Sequence, residues 1–148
     1  MKKEEFINVL KQENYLYEIQ GDKIIVTQKG SVGLYSLKTL PPGVGFKNRG
    51  NVGLYSLETL PPGVGFMNGG YVDLYSLKTL PPGVEFRNRG NVYLDSLETL
   101  PPGVEFKNDG GVRLNGILGG WLNEWEGNIE GVDDKRLLRL MANKELFL

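Results

Sequence analysis

Gly30, Gly50, Gly70, Gly90 and Gly110 recur at an interval of 20 residues. Each is followed two positions later by a valine (Val32, Val52, Val72, Val92, Val112) and four positions later by a leucine (Leu34, Leu54, Leu74, Leu94, Leu114). The motifs Ser-Leu-x-Thr-Leu-Pro-Pro-Gly and Val-x-Phe-x-Asn complete the unit. Four units are complete between residues 30 and 109, and a fifth is cut short near Gly116. The composition, with 21 glycines and 8 prolines, would on its own suit a disordered chain. A fixed period assigns it instead to a stacked-repeat architecture.

Each unit holds two stretches with period-2 alternation, Val-x-Leu and Val-x-Phe-x-Asn, and that period belongs to strands. Pro-Pro-Gly stops a helix and forces a corner. Asn-x-Gly, as in Asn48-Arg49-Gly50, permits a left-handed residue at the other corner. Strands this short do not stand alone in water. They persist when successive units stack in register, with Val on Val, Leu on Leu and Phe on Phe. The fold expected is all-β: a parallel β-solenoid of about four 20-residue coils with short helical caps at both ends. A leucine-rich-repeat-like solenoid is the alternative. Its Asn, however, does not follow a second strand, and its motif has no second alternating segment.

In a stack, the fixed positions become columns. Phe46, Phe66, Phe86 and Phe106 are expected inside. Asn48, Asn68, Asn88 and Asn108 share their parity, so they turn inward at the corner and need partners there. Lys38, Glu58, Lys78 and Glu98 form an outward column in which each charge meets its opposite about 4.8 Å away.

The expected organisation is an N-terminal helix and hairpin over 1–29, the solenoid over 30–116 and a C-terminal cap over 117–148. Phe6, Val9 and Leu10 give a helix near 3–13 one apolar face. Gly21-Asp22 suits a hairpin turn between 15–19 and 23–28. Ile24, Val26 and Gln28 then take the places of Val, Phe and Asn. Beyond Gly116, Asp133 or Asp134 is placed to cap a helix over 135–143. Trp121 and Trp125 are placed to cover the last coil.

The chain has 148 residues, a net charge of −1 and neither cysteine nor histidine. Disulfides, thiolate metal sites and the commonest base near neutral pH are therefore excluded. The serine column Ser36, Ser56, Ser76 and Ser96 has no histidine to activate it. No phosphate-binding loop motif occurs. The expectation is a non-enzymatic protein with no cofactor and no metal. The charged N-terminus and the lack of a long apolar run point to a cytoplasmic protein without a membrane span.

The repeat SLETLPPGVGFMNGGYVDLYSL and the tail WEGNIEGVDDKRLLRLM together resemble uncharacterised bacterial and bacteriophage proteins. The resemblance covers nearly the whole chain from about residue 15. It implies a repeat-built scaffold and carries over no activity, substrate or site residue.

Function must then lie on the outside of the coils, and two sets of residues stand out. The first is an aromatic and glycine face: Tyr35, Tyr55 and Tyr75 in one column, with Met67, Tyr71 and Tyr93 beside bare strand positions at Gly33, Gly53, Gly45 and Gly65. Tyrosine and methionine favour protein interfaces, and glycine admits a second backbone. The second is a basic strip, Lys47, Arg49, Arg87, Arg89 and Lys107, interrupted by Met67 and Gly69 and ended by Asp109. A protein partner is the expectation from the first, and a nucleic acid, or competition for a nucleic-acid site, is the alternative from the second.

Overall fold

The two short strands of each unit find their partners one coil away. A computed structural model of the chain describes residues 1–101, 103–118 and 120–121. The first sheet runs β1 (Tyr17–Gln20), β2 (Lys23–Val26), β4 (Gly45–Phe46), β6 (Gly65–Phe66), β8 (Glu85–Phe86) and β10 (Glu105–Phe106). The second runs β3 (Val32–Gly33), β5 (Val52–Gly53), β7 (Val72–Asp73), β9 (Val92–Tyr93), β11 (Val112–Leu114) and β12 (Gly120–Trp121). From coil to coil the pairing is parallel, and residues 20 apart face each other: Val32 on Val52, Val52 on Val72, Phe46 on Phe66. The chain is a parallel β-solenoid of about four coils with a short N-terminal helix. Two sheets per coil, each built from its own alternating segment, set aside the leucine-rich-repeat alternative.

The core is a set of columns. Phe46, Phe66, Phe86 and Phe106 stack with ring centroids 5.5, 5.3 and 5.4 Å apart. Burying each phenylalanine stabilises the fold by about 1.5–3 kcal/mol. The Val and Leu columns of each coil fill the rest of one continuous core.

The asparagines close the corner between the sheets. Asn48 Nδ2 donates to Gly30 O of the preceding coil at 3.1 Å, and to Gly50 O at 3.3 Å and Asn51 O at 3.0 Å in its own. Asn68, Asn88 and Asn108 repeat this geometry. The ladder therefore runs from amide to corner backbone, not from amide to amide. Its four Oδ1 atoms are buried and accept no hydrogen bond among the described residues.

The left-handed backbone that Asn-x-Gly permits is found at the other corner. Gly43, Gly63, Gly83 and Gly103, of Pro-Pro-Gly, have φ between 78° and 82°. The glycines of Asn-x-Gly do not. They are required for close approach instead: a Cβ on Gly50 would lie 2.5 Å from Ser31 N, and one on Gly90 would lie 2.6 Å from Tyr71 N.

At the N-terminus, α1 (Lys3–Gln12) places Phe6 and Leu10 over the open end of the first coil, both fully buried. Glu4 and Glu5 in its first turn and Lys11 in its last complement the helix dipole. Asn14, with φ 59°, ends it in the left-handed region. Tyr15 then covers the edge of β3: its hydroxyl accepts a hydrogen bond from Gly33 N at 3.0 Å. The hairpin grows into the solenoid as expected, with Val26 on Phe46 and Arg49 N donating to Gln28 O. At the other end, α2 (Asn115–Leu118) leads to β12, antiparallel to β11. The helix over 135–143 and the side chains of Trp121 and Trp125 lie outside the described residues. Of the alternating charge column, among the described residues only Lys38 and Glu58 form an ion pair, at 3.6 Å.

Candidate functional site

Outward positions on the second sheet change character along the stack. The column through the strands reads Gly33, Gly53, Asp73, Tyr93, Arg113. Bare backbone gives way to charge. Over the first two coils the ring of Tyr35 lies on the glycines: a Cβ on Gly33 would come within 2.5 Å of Tyr35 Cε2, and one on Gly53 within 2.6 Å of Tyr35 Cε1. Tyr55 and Tyr75 instead stack on each other at 5.0 Å and 11°. The three tyrosines thus share a column in sequence, but one is folded down onto the sheet. They remain 60%, 48% and 40% exposed.

Beside them Tyr71 meets the ring of Tyr93 edge-on at 5.7 Å. Burial pushes the Tyr71 hydroxyl above its ordinary value, and the neighbouring Tyr35 and Asp73 add to the shift. Asp73 is also raised, mainly by burial, although its carboxylate accepts a hydrogen bond from Tyr75 N. The guanidinium of Arg113 lies 4.7 Å from the Tyr93 ring centroid, and its Nε donates to Asp95 Oδ1. The charge of Asp95 in coil four is thus met by Arg113 of the coil that follows.

Met67 is not part of it. It follows β6 on the first sheet, where it lines a groove with Gly45, Gly65, Ile25, Lys23 and Lys47. The single aromatic and glycine face expected from sequence is two faces. Glycines 33 and 53 lie on one sheet, and glycines 45 and 65 on the other, because the chain turns a corner between them. Met67, 54% exposed, walls that groove together with Ile25.

The basic strip also divides. In the first sheet the outward column reads Gly45, Gly65, Glu85, Glu105, with Lys47, Met67, Arg87 and Lys107 in the next. Arg87 pairs with Glu85, and Lys107 bridges Glu85 at 3.7 Å and Glu105 at 2.8 Å. Lys107 beside it holds the exposed Glu105 carboxyl below its usual range. Lys47, Arg49 and Arg89 have no ion pair among the described residues, and they line a hollow around Met67 and Gly69. At Gly69 the backbone packs tightly on the preceding coil: a Cβ there would meet Arg49 O at 2.2 Å.

Two cations of this region escaped the sequence reading. Lys29 is exposed one coil before Arg49, and Lys23 lines the glycine groove. The 20-residue interval to Arg49 was the available signal for Lys29; nothing short of the groove itself marked Lys23. Among the described residues no group of three or more carboxylates, cysteines or histidines is placed to hold a metal ion. No helix in the described residues is long and apolar enough to cross a membrane.

No family model, curated protein or solved structure matches the chain. The fold defines a β-solenoid, and the reading of its purpose rests on the surface described above.

Proposed function

We propose that this chain is a non-enzymatic repeat scaffold of the cytoplasm that binds a protein partner through its solenoid surface. One observation carries the reading. Tyr35, Tyr55, Tyr75 and Met67 are all at least 40% exposed and stand outside the buried columns that form the core. Large amphipathic rings on a rigid frame bind with little loss of conformational freedom. For a chain of bacteriophage origin, an inhibitor or adaptor acting on a host complex is the natural form of such a scaffold.

The second reading, nucleic-acid engagement, is favoured by the cations left without carboxylates: Lys47, Arg49 and Arg89. Arg87 and Lys107, engaged with Glu85 and Glu105, support it less than the sequence suggested.

Crosslinking capture from host lysate tests the first reading. The comparison is wild type against a Tyr55→Ser, Tyr75→Ser double variant of unchanged circular dichroism. The expected result is one protein crosslinked to the tyrosine column in wild type and depleted in the variant. Empty captures, or captures identical for both proteins, would count against a partner on this face.

A further inference from the structure

Coils three and four contain a pairing that coils one and two lack. On the outer face of the first sheet, Glu85 and Glu105 stand beside Arg87 and Lys107 and neutralise them. In the first two coils the same column holds Gly45 and Gly65, and the cation Lys47 is left beside it without a carboxylate. The space above Gly65 is open, with no atom within 4 Å of where a Cβ would be. The groove is walled by Ile25 and Met67, and it continues into the hollow of Lys47, Arg49, Gly69 and Arg89; among the described residues no acidic side chain lines either. Arg49 and Arg89 stand two coils apart, about 10 Å at ordinary strand spacing.

We infer that this groove takes an extended acidic peptide segment of the protein partner. Its carboxylate lies over Gly65, in the column where Glu85 and Glu105 stand in their own coils, and a neighbouring apolar side chain lies against Met67 and against Ile25, whose Cδ1 covers Gly45. The inference rests on the protein-partner reading and adds the site and the partner's chemistry. Three features select such a segment. The bare strand at Gly65 lets a second backbone come close. Cations without internal partners recover ion pairs that coils three and four already make. A guanidinium pair grips carboxylates through directed hydrogen bonds. A phosphate backbone would satisfy the cations, but it gives the apolar wall nothing to bury.

Selection of a random peptide library displayed on phage, against the full chain, tests this. The recovered peptides should be enriched in Asp and Glu next to Leu, Val or Ile. Their affinity should fall with rising salt. It should fall by about tenfold or more in Arg49→Gln, Arg89→Gln, and again in Gly65→Val, which fills the groove at a position with room for a side chain. No enrichment, peptides without excess acid, or peptides indifferent to these variants would overturn the inference. So would a labelled oligouridine that binds more tightly than the peptides and displaces them. Peptides lost only in the Tyr55→Ser, Tyr75→Ser protein would overturn the inference while leaving a protein partner on the tyrosine face standing.

Discussion

Asp95 reaches into the next coil to hold Arg113, its Oδ1 accepting from the guanidinium Nε at 2.9 Å while its Oδ2 accepts from Asn115 Nδ2 at 2.9 Å. It stands in the column where the three earlier coils carry tyrosine, and its side chain is only 8% exposed. The substitution of acid for tyrosine thus fastens the last coil and α2 to the coil beneath. Asp95→Ala removes the carboxylate that accepts from Arg113 Nε and Asn115 Nδ2. The expected cost is about 1.5–3 kcal/mol, read as a lower urea midpoint, with protease cleavage appearing first near residues 113–118.

Glycine substitutions should rank by mechanism. Gly65→Ala meets nothing within 4 Å and should leave stability unchanged or raise it by about 0.5 kcal/mol. Gly63→Ala has room, with no contact under 3.5 Å, but sits at φ 82°. It should cost about 1–2 kcal/mol. Gly69→Ala has ordinary φ, yet its Cβ would lie 2.2 Å from Arg49 O. A backbone atom cannot swing away like a side chain, so this should be the worst of the three. Thermal denaturation of the series checks the order.

Asn68 tests the corner ladder. Its amide donates to Gly50 O, Gly70 O and Tyr71 O, and the residue is fully buried. Asn68→Asp is nearly isosteric, but it turns a donor into an acceptor that faces three carbonyls. It should destabilise more than Asn68→Ala, which removes the hydrogen bonds at about 1–3 kcal/mol. The gap between the two should narrow as pH falls and the new carboxyl protonates.

Asp73 gives a pH signature. Burial raises its folded pKa above the ordinary carboxylate value. Stability from its protonation is therefore fully present below the unfolded value and is lost as pH rises through the folded one. Asp73→Asn keeps an oxygen for Tyr75 N and removes the charge. It should raise the urea midpoint at pH 7, by no more than about 1 kcal/mol, and the gain should vanish in the acid range below both values.

The fold was legible because its cause is one-dimensional. A 20-residue interval puts equivalent residues one strand spacing apart, and period-2 alternation assigns them inside or outside. The Phe and Asn columns and the junction of Val26 with Phe46 all follow from that. Which corner takes the left-handed residue did not follow, since both corners carry glycine and only backbone geometry separates positive φ at Gly43 from close approach at Gly50.

The surface was legible only as columns. Sequence determined which residues repeat, and so that Lys47, Met67, Arg87 and Lys107 stand in line. It did not determine that the corner sets Met67 on a different sheet from Tyr55. Nor did it determine that Glu85 and Glu105 quench Arg87 and Lys107 while Lys47, Arg49 and Arg89 stay without carboxylates, or that Tyr35 folds onto Gly33 and Gly53. Those outcomes depend on side-chain direction and on distances between columns. A period along the chain fixes spacing along the stack, and only the wrapped coil sets what lies beside what around it.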